Sequence, residues 1–277
     1  MIDKDLIEKC KQASKRMRTN VIKMTYSTGN VGAHIGGSLS MVEIMSALYI
    51  GAMKYDINDP LWENRDRFIL SKGHGAMALY AVLKEIGILT EHDLLSFKKN
   101  GSELSAHPSL NQKLGIDFSS GSLGQGLSLG VGVSLALKRK NNNSSRIFVL
   151  LGDGECDEGS VWEAAACAAH YKLSNLVAIV DKNNLQYDGK TEDVLSMNDI
   201  VKKWKSFGWD PIVVDGHSEE QLLQAFKSQS EKPVAIIANT IKGKGVSFME
   251  DKANWHNNRM TEQQFNVALE EQDGVAI

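Results

Sequence analysis

Proline and cysteine are scarce, four and three in 277 residues. With so few prolines, and no low-complexity tract beyond Asn142-Asn143-Ser144, nothing marks an interdomain linker, and one unit over residues 1–277 is expected. Cys10, Cys156 and Cys167 are odd in number and lack the spacing of a zinc or redox motif, which argues against a disulfide framework. No apolar run is long enough to cross a bilayer, and the amino end, MIDKDLIEKC, lacks a basic-then-apolar leader. An excess of one charge is missing too. The 31 basic and 34 acidic side chains are interspersed, leaving a net charge of −3 and no pooled basic surface. A cytoplasmic protein with neither nucleic acid nor membrane as partner is expected.

Glycine is plentiful, at 24 residues, and apolar runs alternate with helical patterns. Leu6–Tyr26 has helical spacing, with a basic face of Lys9, Lys11, Lys15, Arg16, Arg18 and Lys23 expected in solvent. Further helices are expected at Leu39–Tyr49, from Gly75 to Leu83, within Thr90–Phe97, and at Leu123–Leu137, Asp157–Tyr171, Ile200–Phe207 and Glu219–Phe226. Strands are expected at Arg67–Leu70, Ile147–Leu151, Leu176–Val180, Pro211–Val214 and Val234–Asn239, with a tight turn at Tyr187–Lys190. This alternation predicts an α/β fold: a three-layer parallel sheet with helices on both faces.

One spacing carries chemistry. Gly152-Asp153-Gly154 ends the strand that begins at Ile147, and after 28 intervening residues Asn183-Asn184 ends the strand that begins at Leu176. The interval fits one helix and its return, so Asp153 and Asn183 lie together at the carboxyl edge of the sheet, where open α/β sheets bind ligands. A carboxylate and an amide oxygen form a hard, incomplete donor set, which suits Mg²⁺ completed by water and phosphate oxygens. The plainer alternative is two turns without a metal.

The spacing of GDG and NN resembles the signature of thiamine-diphosphate enzymes, and the remaining blocks are similar to those of the transketolases. These are GNVGAHIGGSLS at Gly29–Ser40, RDRFILSKGHG at Arg65–Gly75, AHPS and GSLGQG within Ala106–Gly126, and KGKGVSFMEDKANWH at Lys242–His256. They run in family order across nearly the whole chain. The resemblance implies thiamine diphosphate and Mg²⁺ (or Ca²⁺) as cofactors, the metal held by Asp153, Asn183 and the carbonyl of Leu185. It assigns His74, Gly121, Ser122, Leu123, Gly152, Gly154, Glu158, Lys242 and His256 to the cofactor, with Asp153 and Asn183. His34, His107 and His256 would act on the sugar's hydroxyls and protons, a task that suits imidazole. Ser122 stands where the family most often has proline, and Asn257 where it usually has glycine.

Each of these residues has a structural alternative. Glu158 could serve only the start of a helix, Lys242 could be a solvated lysine, and Cys156 reads as a packed thiol. Glu163, Lys244, His92 and His217 are read as structural, and His170 as a helix-end residue. The resemblance covers only the diphosphate-binding domain, so the pyrimidine-binding and carboxy-terminal domains are expected on a separate chain, in an α₂β₂ complex acting on sugar phosphates. Two other readings remain open. One is a transketolase-like biosynthetic subunit using another donor, the other a non-catalytic module that binds the cofactor or scaffolds a partner.

Overall fold

The computed structural model describes residues 2–142 and 144–274. Asn143 of the polar stretch, and both ends of the 1–277 span, lie outside the described residues. Among the described residues the strands are β1 (Arg67–Leu70), β2 (Ile147–Gly152), β3 (Leu176–Lys182), β4 (Leu185–Gln186), β5 (Gly189–Lys190), β6 (Asp210–Asp215) and β7 (Val234–Asn239). The α-helices are α1 (Lys4–Ser27), α2 (Ile35–Leu39), α3 (Val42–Ser46), α4 (Ala76–Glu85), α5 (Glu91–Leu94) and α6 (Gln125–Arg139), then α7 (Gly159–His170), α8 (Thr191–Val194), α9 (Ile200–Ser206), α10 (Glu219–Phe226) and α11 (Glu262–Asp273).

Five strands form one parallel sheet in the order β1-β2-β3-β7-β6. Parallel neighbours need crossovers, and the crossovers place helices on both faces. Side chains alternate accordingly. Phe148, Leu150, Val177 and Ile179 pack toward α1, α3, α4 and α10, while Ile147, Val149, Ala178 and Val180 pack toward α6, α7 and α9. This is the three-layer arrangement the alternation predicts. Helix α6 approaches the sheet closely through its glycines: a Cβ at Gly126 would lie 2.4 Å from the Ser71 side chain, and one at Gly130 2.6 Å from Val149.

Four local expectations need correction. The helix expected at Leu39–Tyr49 is not one piece: Leu39 ends α2, α3 begins only after Ser40-Met41, and α3 runs into a π-helical turn at Ala47–Ala52. The helix expected from Asp157 starts at Gly159, because Gly154–Asp157 winds as a tighter 3₁₀ turn. Arg18 is not solvated: it is buried against Glu43, which offsets its charge. Helix α11 had no counterpart among the expected elements, although Thr261 and Gln264 close a capping box at its start.

The carboxyl ends of β1, β2, β3 and β7 all open on one edge. The loops that follow them carry Ser71–His74, Asp153–Glu158, Asn183–Leu185 and Thr240–Lys242.

Candidate functional site

The turn after β2 is closed by its own aspartate. Asp153 Oδ1 accepts the Gly154 N–H at 2.9 Å, and Oδ2 accepts the Asn184 N–H at 2.5 Å. The Asp153 N–H donates to the Asp181 carbonyl at 3.2 Å, continuing the register of β2 against β3. Asn183 Oδ1 accepts the Leu185 N–H at 3.1 Å. The two remote turns therefore meet. The Leu185 carbonyl accepts from the Lys242 ammonium at 2.8 Å, so a cation from the end of β7 already reaches it. A carbonyl oxygen has two lone pairs, which leaves one for a further partner.

Beneath this junction lies a charge pair that the sequence reading did not find. Lys72 and Asp181, both almost fully buried, meet at 2.5 Å, and Lys72 also donates to the Gly37 carbonyl at 2.9 Å. Ser40 and Thr240 donate their hydroxyls to the two Asp181 oxygens. Burial pushes Asp181 up, but the Lys72 charge and these hydrogen bonds together hold it below the usual carboxylate range. Glu155, also missed, accepts from Ser71 Oγ at 2.5 Å, the Gly124 N–H at 2.8 Å and the Gly152 N–H at 3.1 Å, and so ties three loops behind the turn. Burial raises its carboxyl. For Lys72 and Glu155 the only sequence signal was their place inside the Ser-x-Gly-His and GDG blocks.

Four histidines from separate loops gather beside the junction. Ring centroids are 5.6 Å apart for His34 and His74, 5.6 Å for His34 and His107, 5.4 Å for His34 and His256, and 5.1 Å for His74 and His256. Tyr187, at the tip of the β4–β5 hairpin, meets the His256 ring edge-on at 5.4 Å. Burial, then neighbouring rings and lysines, lowers His34 to about 4, and burial with Lys242 lowers His256 to about 3. Burial also lowers His74, with Lys72 next, and His107, with Lys98 next. At neutral pH the cluster is therefore uncharged, each ring able to donate from one nitrogen and accept at the other.

A cavity of about 310 Å³ joins these parts. Lys72, His74, Leu123, Gly152, Asp153, Gly154, Glu158, Asn183, Leu185, Lys242 and His256 line it, together with Gln186 and Tyr187 from the hairpin. His34 and His107 extend the histidine cluster from it, and Gly121 packs on the His107 ring, where a Cβ would lie 3.6 Å away. Ser122 is exposed and outside the lining, as is Glu163, while Lys244 pairs with Glu250 at 3.3 Å. Gly154 faces no open space: a Cβ there would lie 2.6 Å from Gln186 Oε1, because the hairpin folds over the turn. Cys156 is fully buried, and burial pushes its thiol well up, as suits a packed residue. His217, read as structural, is bonded at both ring nitrogens.

The lining fits a metal–diphosphate group. Burial, then the Asp181 charge, pushes Asp153 up to about 6, leaving a carboxylate short of positive charge. Gln186 Oε1, Asp157 Oδ1 and His256 Nδ1 are buried polar atoms in this lining without a partner. Among the described residues no three His, Cys, Asp or Glu side chains cluster as metal ligands, so a cation here would take the Asp153 carboxylate together with amide, carbonyl and phosphate oxygens. Lys242, lowered to about 8 chiefly by burial, adds a cation to the same wall.

Fold and cavity define an open-sheet α/β domain with a ligand site at the carboxyl edge of its strands. Residues 11–273 match the family described as transketolase, thiamine diphosphate binding domain, and the chain belongs to that family. It is 42% identical over 254 residues to the transketolase of Homo sapiens, covering 92% of this chain and 40% of that protein. It is 40% identical over 266 residues to the 6-deoxy-6-sulfo-D-fructose transketolase subunit SqwG of Clostridium sp. (strain MSTE9), covering 94% of this chain and 96% of that one. A crystal structure of a transketolase mutant from Pichia stipitis superposes with a TM-score of 0.88 at 28% identity, over 95% of this chain and 40% of that chain. The chain thus spans about two-fifths of the human transketolase and nearly all of a relative named as a subunit.

Proposed function

We propose that this chain is the amino-terminal, cofactor-binding subunit of a two-chain transketolase, moving a two-carbon ketol unit from a ketose phosphate to an aldose phosphate. The observation that carries this reading is the junction of Asp153 with Asn183-Asn184, closed by neutral imidazoles on the same cavity. Mg²⁺, or Ca²⁺ in its place, would be held by Asp153, Asn183 Oδ1 and the Leu185 carbonyl, which suits a hard cation that keeps phosphate oxygens as partners. Thiamine diphosphate, when bound, supplies the carbanion and electron-sink chemistry.

The chain's own residues bind, orient and move protons. Lys242 brings positive charge to the diphosphate wall, and Leu123 supplies an apolar contact. His34, His107 and His256 are neutral at working pH, so each can accept a hydrogen bond from a sugar hydroxyl; the negative charge of a bound diphosphate would raise their pKa values toward the range in which they take up and return a proton. Glu158 stands exposed on the cavity rim, and its side chain makes no capping bond to α7, which favours a role toward a partner over a helix cap.

The partner would supply the pyrimidine-binding and carboxy-terminal domains, in an α₂β₂ complex. The match over 96% of a protein named as a subunit supports a separate partner chain. Purified alone, the chain should show negligible ketol transfer, and adding the partner should restore it; full activity of the isolated chain would contradict the reading. The donor is the open part. The name of the Clostridium relative specifies 6-deoxy-6-sulfo-D-fructose, so a panel of ketose donors, phosphorylated and sulfonated, assayed with the partner present separates a pentose-phosphate transketolase from a specialised one.

A further inference from the structure

Arg18, Glu43 and His217 form a network that the chemistry at the cavity does not use. Arg18 on α1 pairs with Glu43 Oε1 on α3, and Glu43 Oε2 lies 2.9 Å from His217 Nδ1. His217, in the turn after β6, accepts the Ile241 N–H at Nε2, 2.8 Å away. A neutral ring that accepts at Nε2 carries its proton on Nδ1, so His217 donates to Glu43. At the other end, Arg18 Nε donates to the Lys244 carbonyl at 3.0 Å. One network from three elements thus grips the loop after β7 on both sides of Lys242.

The loop is shaped to accept that grip. Gly243 and Gly245 adopt φ of +78° and +85°, and a Cβ at Gly245 would lie 2.2 Å from Arg18 Nε. Between the two held points the Lys242 side chain, only 2% exposed, reaches the Leu185 carbonyl. A lysine stem has four rotatable bonds, so its head can be fixed only if its backbone is fixed first.

We propose that Arg18, Glu43 and His217 are positioning residues for Lys242, setting the loop so that the ammonium is pre-placed in the diphosphate cavity. What Lys242 meets there rests on the proposed function; the positioning does not. The test is a brief pulse of an amine-acetylating reagent on the full chain, with Lys242 and Lys72 quantified by mass spectrometry in wild type, His217→Ala and Arg18→Lys. Lys242 acetylation should rise about tenfold in both variants, the factor expected when a buried hydrogen bond no longer holds the closed loop. Lys72, equally buried but held by Asp181, should keep its rate. Unchanged Lys242 labelling, or labelling that rises only in step with Lys72, overturns the proposal, because a merely structural role loosens both. Titration of thiamine diphosphate with Mg²⁺ into the same proteins, each assembled with its partner subunit, separates the two readings. If wild type fails to bind while the labelling pattern holds, the proposed function fails and the positioning stands.

Discussion

Asn184 donates its backbone N–H to Asp153 Oδ2 at 2.5 Å, across 31 positions of sequence. The bond ties the turn after β2 to the turn after β3. It leaves the Asp153 carboxylate buried, pushed up to about 6, and facing the cavity that Asn183 and Leu185 also line. His74 and Lys242 reach the same edge because β1 and β7 are parallel with β2 and β3 and end together, and His34, His107 and His256 join His74 there from other loops.

The histidine cluster should make the fold acid-sensitive. In the unfolded chain imidazole titrates near 6.5, whereas His34 and His256 titrate at about 4 and about 3 in the folded protein. From about pH 6.5 down toward about pH 4 the unfolded chain therefore binds more protons, and stability falls as pH falls. Asp153 is shifted the opposite way, so the comparison is with His34→Gln/His256→Gln. Urea midpoints between pH 7.5 and 4.5 should fall more steeply for wild type than for this variant. Parallel slopes would refute the assignment.

Lys72 and Asp181 should be worth far more as a pair than either alone. Lys72→Met leaves a fully buried carboxylate with only the Ser40 and Thr240 hydroxyls, and should cost about 3–5 kcal/mol in denaturant unfolding. Combining it with Asp181→Leu should recover most of that loss. A single-variant cost below about 1 kcal/mol, the range of an exposed pair, would mean that water reaches the pair.

Two glycines of α6 should respond with opposite sign. Gly126→Ala drives a methyl to within 2.4 Å of Ser71 and should destabilise by about 1–3 kcal/mol. Gly132→Ala meets nothing within 4 Å on an exposed helix position and should stabilise by up to about 1 kcal/mol. Thermal melts of both variants check the packing of α6 on the sheet; two shifts of the same sign would count against it.

The strong local patterns were legible in the sequence. Glu219–Phe226 and Val234–Asn239 match α10 and β7 to the residue, because one is a capped amphipathic turn series and the other an apolar run buried in a parallel sheet. Asp153, Asn183, the four histidines and Lys242 were marked by motif blocks, and the structure brings them to one cavity edge. What stayed hidden was long-range pairing. Asp181 sits at the end of an apolar strand, and its partner Lys72 lies 109 positions away. Arg18 looks like one more basic residue on a solvated helix until Glu43 folds beneath it. Gln186 and Tyr187 had no signal beyond a hairpin turn.

The most direct measurement is calorimetric titration of thiamine diphosphate into the chain with its partner subunit, with Mg²⁺ and with chelator, for wild type and Asp153→Asn. Binding should require the divalent ion, and Asp153→Asn should weaken it by at least about 100-fold, the upper end of the loss seen when only an outer partner of a metal site is removed. Equal affinity in chelator, or undiminished affinity in Asp153→Asn, would show that the two strand ends do not hold a metal-bound diphosphate.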